Sequence, residues 1–216
     1  MIKDILFEDS SIIVCIKPAG LQSQGGKNDM VALLNAYFAE KEPDSAAYPV
    51  HRLDRETAGI MVFAKNSGAA AKLSAQISGG EFKKRYFAVT QGKPEKESAT
   101  LKDLLFHDRQ KNKTYTVKRS RKGVKEASLE YKVIGTAEGL TLLDILLHTG
   151  RTHQIRVQFA SRKLPLLGDG KYGGGSGKLA LFAHKLEFSH PETNKKLNFT
   201  AFPETDCHPW NLFEFR

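Results

Sequence analysis

The sequence has little cysteine and no long apolar run. Its 216 residues include two cysteines, Cys15 and Cys207, and so few indicate reduced thiols rather than a disulfide framework. No stretch of about 20 consecutive apolar residues could span a membrane. Residues 1–11 lack the basic and apolar segments of a secretory signal. We therefore predict a cytoplasmic protein that does not contact a membrane.

Several catalytic and binding motifs are also missing. The seven histidines are scattered, and none forms a His-Glu-x-x-His motif or a zinc-type spacing with cysteine. A Gly-x-Ser-x-Gly nucleophile elbow is absent. The glycine-rich stretch 173–178 has Tyr172 and Leu179 where a phosphate-binding loop needs Gly and Ser or Thr. We predict no metal site and interpret this stretch as a mobile glycine linker.

Positive charge is concentrated in one region of the chain. The formal net charge is +9, and residues 82–125 hold 14 lysines and arginines against 4 aspartates and glutamates. The remaining residues hold 19 against 20. A solvated basic face is one explanation. Such a local excess favours a polyanionic partner such as a nucleic acid.

Local patterns predict one strand and two helices early in the chain. The β-branched run Ser11–Lys17 predicts a buried strand that ends in a Pro-Ala-Gly turn. Asp29 is placed to cap a helix that runs to about Lys41. Ser67 is placed to cap an alanine-rich helix that ends near the Gly79-Gly80 pair.

The rest of the chain reads mainly as strands joined by short turns. The predicted strands lie near residues 59–65, 82–91, 127–133, 140–148, 179–189 and 195–201. Residues 104–125 predict a hairpin with a basic tip, and residues 92–102 a polar connector. This order favours an α+β fold in which helices and loops flank a mixed, largely antiparallel central sheet. We predict a single domain over residues 1–216.

The segment His51–Lys65 carries the first candidate for chemistry. Asp54 lies between Arg52 and Arg55, ahead of a small-residue turn and a strand. Neighbouring positive charges keep a carboxylate ionised, which suits a nucleophile or an anchoring anion. A structural ion pair is the alternative interpretation.

Three further residues have patterns compatible with a site. Tyr86 lies in the basic strand 82–91, where packing in the core is the more common role of a tyrosine. A helix after Gly150, capped by Thr152, would expose Arg156 on one face, from which it could reach a carboxylate. Lys17 enters a loop and could contact phosphate.

Six short motifs occur together along the chain. They are Lys17-Pro18-Ala19-Gly20-Leu21, His51-Arg52-Leu53-Asp54-Arg55-Glu56-Thr57-Ala58-Gly59, Lys84-Arg85-Tyr86-Phe87-Ala88-Val89, Gly150-Arg151-Thr152-His153-Gln154-Ile155-Arg156-Val157, Gly168-Asp169 with Tyr172-Gly173, and His190-Pro191. Their content and order resemble the RluA-type family of RNA pseudouridine synthases. The resemblance covers nearly the whole chain.

The resemblance implies an isomerase whose active site lies in a basic cleft. It implies that Asp54 is the catalytic aspartate, that Tyr86 stacks on the target base, and that Arg156 pairs with Asp54. Arg52 would hold the target nucleotide out of its stack, because a stacked base cannot be reached. The expected substrate is ribosomal or transfer RNA, and no cofactor or metal is implied.

The resemblance also implies secondary RNA contacts, from Lys17, Arg55, Arg151, His153 and Gln154. We expect a monomer. Many members of the family carry an N-terminal S4-type RNA-binding domain, and we expect none here, because the catalytic motifs begin within about 20 residues of Met1. Gln158 stands where relatives commonly have histidine.

Two other functions remain open at this stage. One is a catalytically silent RNA-binding or chaperone domain of the same fold, which the basic region favours and the intact Asp54, Tyr86 and Arg156 set disfavours. The other is a metal-dependent nuclease, which would need clustered carboxylates.

Overall fold

The computed structural model describes residues 4–215. The strands are β1 (Ile5–Glu8), β2 (Ile12–Lys17), β3 (Tyr48–Pro49), β4 (Ala58–Ala64), β5 (Lys83–Gln91), β6 (Ser98–Asp108), β7 (Lys113–Val117), β8 (Val124–Ala137), β9 (Leu140–Leu147), β10 (Leu181–Ser189) and β11 (Lys196–Thr200). The helices are α1 (Met30–Lys41), α2 (Ser67–Gly79), α3 (Gln154–Ala160) and a 3₁₀ turn at Trp210–Leu212. The predicted α+β class with a mixed sheet is confirmed. No helix within this part of the chain is long and apolar enough to cross a membrane.

The chain folds into two compact units. The first comprises the described residues up to Lys84 together with Ala183–Ala201, and the second comprises Arg85–Phe182 with the described residues from Phe202 onward. The chain therefore passes between the units three times, inside β5, inside β10 and after β11. That residues 1–216 form one domain stays a prediction.

The first unit contains a sheet in the order β1-β2-β4-β10, with β3 on β4 and β11 on β10. β2 and β4 are antiparallel, from Ile12 opposite Ala64 to Lys17 opposite Gly59. Strands β2, β4 and β10 pack with α2 around Phe82, whose ring stacks on Phe188 at a centroid distance of 5.1 Å. This core fixes the end of β4 from which the Asp54 loop departs.

The caps of the two long helices follow one prediction and contradict the other. Asp29 caps α1, and its carboxylate accepts from the Ala32 amide at 2.8 Å, as predicted. The predicted cap of α2 by Ser67 is wrong, because Asn66 accepts from the Ala69 amide at 2.8 Å. The cap position needs an extended backbone, which Asn66 has (φ −147°), whereas Ser67 is already helical.

The second unit contains the strand order β5-β9-β8-β6-β7 and helix α3. β6 pairs with β7 on one side and with β8 on the other, both antiparallel. The predicted hairpin is confirmed, with its turn at residues 109–112. The predicted connector 92–102 is partly wrong, since β6 begins at Ser98 and its first residues, Ser98 to Lys102, already alternate between more and less exposed positions. The sequence also missed the short strands β1 and β3.

His51 is built into the core of the first unit as a neutral side chain. Its Nε2 accepts a hydrogen bond from the Val62 amide at 3.2 Å, and its ring lies 5.5 Å from the ring of Phe82. Burial, with a smaller contribution from the charge of Lys84, lowers the pKa of His51 to about 3. His51 in the folded protein therefore stays neutral at pH values at which His51 of the unfolded chain, with a pKa near 6.5, takes up a proton.

We expect His51→Gln to flatten the acid dependence of stability. The contribution of His51 is complete above pH 6.5 and is lost as the pH falls towards 3, by about 2 kcal/mol between pH 6.5 and 4.5. Glutamine can still accept from Val62 but does not titrate. Urea unfolding at both pH values measures the effect, with His148→Gln, an exposed histidine, as control. An equal loss of stability in wild type and His51→Gln would contradict this account.

We expect Asn66→Ala to lower the free energy of unfolding by about 1 kcal/mol, because the Ala69 amide loses its acceptor. Ser67→Ala should leave stability nearly unchanged or raise it slightly, since alanine is the better helix former. Urea unfolding of both variants at pH 7 checks the assignment, and a larger loss in Ser67→Ala would refute it.

Candidate active site

Asp54 lies in the loop between β3 and β4, on a tight turn. The Thr57 amide donates to the Asp54 carbonyl at 3.1 Å, which puts Arg55 and Glu56 at the tip of the turn. The Asp54 side chain is half-buried, between the buried Leu53 and the exposed Arg55. The loop therefore presents one carboxylate at the start of a rigid strand.

Gly59 fixes how that strand begins. It has φ +127°, and a Cβ at this position would collide with the backbone of Ala183 in β10. Only glycine permits this close approach of two backbones. This close packing explains why the Asp54 motif has glycine at position 59.

Lys17 anchors the Asp54 loop through its buried ammonium group. Its side chain is fully buried (0% exposed), and its ammonium donates to three backbone carbonyls. The acceptors belong to Pro18 (2.8 Å), Leu21 (2.7 Å) and Arg55 (3.1 Å). Burial lowers the pKa of Lys17 to about 8, against the opposing charges of Asp54 and Glu56. This burial argues against the phosphate contact that the sequence predicted for Lys17.

Two more links join the loop after β2 to the Asp54 loop. The Ser23 hydroxyl donates to the Leu53 carbonyl and accepts from the Leu53 amide, both at 3.0 Å. The Gly20 amide donates to the Arg55 carbonyl at 2.8 Å, and Arg55 Nε donates back to the Gly20 carbonyl at 3.1 Å. Nothing in the sequence singled out Ser23, because its role depends on a residue 30 positions away.

The two arginines beside Asp54 are exposed. Arg55 contacts Glu56 at 3.4 Å in addition to Gly20. Arg52 is exposed although the next residue, Leu53, is buried. Both guanidinium groups are accessible, and their contact with RNA stays a prediction.

In the second unit, Tyr86 lies on β5 and is 6% exposed. Its neighbour Phe87 points to the opposite face of the strand and packs with Val89 and Leu142. Arg85 reaches Asp144 on β9 at 3.3 Å. That Tyr86 stacks on a base stays a prediction.

The approach to α3 is organised by Gln154. Its side-chain oxygen accepts from Thr149 Oγ1 at 2.7 Å and from the Arg151 amide at 3.1 Å, and its Nε2 donates to the Ser128 carbonyl at 3.1 Å. Gln154 is buried, so these contacts give it a loop-shaping role rather than the predicted RNA contact. Arg151 is exposed and donates through Nε to the Glu126 carbonyl at 3.0 Å.

The predicted cap of this helix by Thr152 is wrong. The cap residue is His153, whose backbone is left-handed (φ 55°), and the Thr152 carbonyl accepts from Thr114 Oγ1 at 2.8 Å. His153 is buried, and its Nδ1 lies 3.0 Å from the Tyr172 hydroxyl. This placement favours an internal role for His153 over direct RNA contact.

Arg156 forms a bidentate ion pair with Asp169. Its Nε and Nη2 donate to the two carboxylate oxygens, each at 2.7 Å, and the two side chains are 7% and 0% exposed. The sequence predicted Asp54 as the partner of Arg156, and that pairing stays a prediction. On the same short helix, Gln158 is buried and donates to Asp103 at 2.7 Å.

The basic region lies along the hairpin formed by β6 and β7 and along the crossover that comes after β7. The crossover, residues 118–123, runs from β7 past β6 to β8, with the Arg121 guanidinium 5.0 Å from the Phe106 ring centroid. The exposed cations of these turns are Arg109, Lys111, Lys118, Arg119, Arg121, Lys122 and Lys125. Among the described residues, no three His, Cys, Asp or Glu side chains are grouped to bind a metal ion.

Comparisons with known proteins agree with the motifs. A family model described as RNA pseudouridylate synthase matches residues 11–161. The chain is 38% identical over 201 residues to an uncharacterized RNA pseudouridine synthase, YhcT, of Bacillus subtilis, covering 89% of this chain and 66% of that protein. It is 33% identical over 220 residues to ribosomal large subunit pseudouridine synthase D of Xanthomonas campestris, covering 92% and 65%. The chain thus spans about two thirds of the length of these relatives.

The fold has solved counterparts. The human RNA pseudouridylate synthase domain containing 4 superposes with a TM-score of 0.79 at 23% identity, covering 93% of this chain and 89% of that one. The human RNA pseudouridylate synthase domain containing 1 gives 0.74 at 19% identity, covering 96% and 85%. The predicted family is confirmed, and the chain belongs to the RNA pseudouridylate synthases.

Proposed function

We propose that this protein isomerises uridine to pseudouridine in RNA. In that reaction the bond between uracil N1 and ribose C1′ breaks, the base turns, C5 bonds to C1′ and loses its proton, and N1 takes up a proton. The reaction consumes no second substrate and needs no redox cofactor. The observation that carries the proposal is the Asp54 loop, whose backbone on either side of the half-buried Asp54 is held by the buried Lys17, through the Arg55 carbonyl, and by Ser23, through the Leu53 carbonyl.

In this proposal Asp54 is the nucleophile that attacks the target nucleotide. A nucleophile must be ionised and held in one orientation. Arg156 would pair with Asp54, since a guanidinium both orients a carboxylate and keeps it ionised. Tyr86 would stack on the base, and Arg52 would help to hold the target nucleotide out of its stack.

We propose ribosomal or transfer RNA as the substrate and the basic hairpin as the surface that holds it. A run of exposed lysines and arginines on the two turns that flank β7 suits the phosphates of a folded RNA. Arg55 and Arg151, both exposed, would add contacts nearer the chemistry. We further propose that the enzyme acts as a monomer and without a metal ion.

We expect Asp54→Asn to abolish isomerisation while RNA binding stays near normal, because the amide keeps the shape of the side chain but is not a nucleophile. Tritium release from RNA labelled at uridine C5 measures the reaction, and filter binding measures affinity. Asp44→Asn, an exposed aspartate on another loop, is the matched control and should release tritium as the wild type does. Undiminished tritium release by Asp54→Asn would refute the assignment of Asp54 as the nucleophile. RNA binding without tritium release by the wild type would favour a catalytically silent RNA-binding domain.

We expect the double variant Arg119→Gln with Lys122→Gln to bind RNA about tenfold more weakly at 0.1 M salt. If both side chains contact phosphates, the slope of log Kd against log salt should become shallower by about 1.4. Lys72→Gln with Lys195→Gln, which removes two exposed lysines of the first unit, should change neither quantity. The same loss in both double variants would show that only total charge matters.

A further inference from the structure

The proposed function gives no role to Asp169 or Tyr172, although these two residues belong to one of the six motifs. Asp169 is 1% exposed and lies against Arg156, 13 residues earlier in the chain. Its two oxygens engage one edge of the guanidinium, Nε and Nη2. A bidentate bond of this kind fixes the plane of the guanidinium and the direction in which it points.

The backbone holds Asp169 in place. The Gly168 amide donates to the Gly174 carbonyl, and the Gly174 amide donates to the Asp169 carbonyl, both at 2.8 Å. A Cβ at Gly168 would collide with the Lys178 carbonyl, and one at Gly174 with the Leu166 carbonyl. The start of the glycine-rich stretch is therefore a closed, tightly packed loop, and the prediction of a mobile linker is wrong there.

Tyr172, three residues after Asp169, contacts the same arginine with its ring. The Arg156 guanidinium carbon lies 5.2 Å from the ring centroid, within the range of a cation–π interaction. The hydroxyl accepts from the Thr114 amide at 2.8 Å and lies 3.0 Å from His153 Nδ1. Burial raises the pKa of Tyr172, so the phenol stays neutral and keeps these hydrogen bonds at neutral pH.

These contacts reach the turn end of the basic hairpin. Thr114 is on β7, where its hydroxyl donates to the Thr152 carbonyl at 2.8 Å and lies 3.0 Å from His107 Nδ1 on β6. Lys113 Nζ lies 5.2 Å from the Tyr172 ring centroid. One tyrosine thus joins the hairpin, the start of α3 and Arg156.

We infer that Asp169 and Tyr172 are positioning residues that act through Arg156. Asp169 sets the orientation of the guanidinium, and Tyr172 ties it to the hairpin that would hold RNA. This inference rests on the proposed function, in which Arg156 serves the chemistry. A precisely oriented reacting group needs a supporting layer of packed, hydrogen-bonded partners, and these two residues supply it.

A buried ion pair could instead serve stability alone, and the chain contains a second bidentate Arg–Asp pair for comparison. Arg162, just beyond α3, donates to Asp103 on β6 through Nη1 at 2.9 Å and Nη2 at 3.2 Å, with side chains that are 34% and 18% exposed. Asp103→Asn is therefore the control for Asp169→Asn.

The test measures single-turnover tritium release with enzyme in excess, RNA affinity by filter binding, and urea unfolding. We expect Asp169→Asn to slow release at least 100-fold and Tyr172→Phe about 10-fold, with Kd for RNA within about threefold of wild type. Asp103→Asn should stay within about threefold in rate. In an Arg156→Lys background, whose ammonium cannot form the bidentate bond, Asp169→Asn should add less than a fivefold loss.

The outcomes separate this inference from the proposed function. Rates for Asp169→Asn and Tyr172→Phe equal to that of Asp103→Asn, with an active wild type, would overturn the inference alone. A parallel loss of rate and RNA affinity, or full additivity with Arg156→Lys, would also overturn it. If Asp169→Asn does not fold, Tyr172→Phe decides, because it removes a single hydroxyl. No release by the wild type from total cellular RNA would overturn the proposed function and the inference with it.

Discussion

The buried ammonium of Lys17 is the interaction on which the Asp54 loop depends. Moving a charge out of water costs several kcal/mol, and three carbonyl acceptors offset much of that cost. The lowered pKa shows that burial outweighs the attraction of the nearby carboxylates. Because one acceptor is the carbonyl of Arg55, the end of β2 and the turn beside Asp54 form one structural piece. Lys17 and Arg55, which lie 38 residues apart in the sequence, thereby join two of the motifs.

The second unit solves a similar problem with a different charge. Arg156 is buried on a short helix whose residues from Gln154 to Phe159 are all buried. A helix this short has little stability of its own, so the Asp169 pair, the Tyr172 ring and the Gln154 network must hold it. In both units a buried cation is held by fixed acceptors, Lys17 beside the Asp54 loop and Arg156 as a candidate catalytic side chain itself, and both are shielded from bulk solvent.

The sequence predicted best what local chemistry decides. The strand ending at Lys17 and the Asp29 cap depend on residues a few positions apart, and both are confirmed. Asn66 and Ser67 are equally good caps by composition, so only the backbone could choose between them. Thr152 failed as a cap because His153 adopts a left-handed backbone that tertiary contacts impose. The roles of Ser23, Lys17 and Asp169 depend on partners that no local pattern reveals.

The distinction between buried and exposed cations also changes how the net charge is interpreted. The formal net charge of +9 counts Lys17, Arg156 and Arg119 equally. The first two, however, donate their hydrogen bonds to acceptors inside the protein. Exposed cations can exchange counterions for phosphates, which is the source of salt-dependent affinity for RNA. Buried cations cannot, and their strength lies in fixed geometry at low dielectric. In the proposed function, affinity for RNA and orientation of the reacting groups therefore fall to different lysines and arginines, so a substitution in one set should change Kd and a substitution around the other should change the rate.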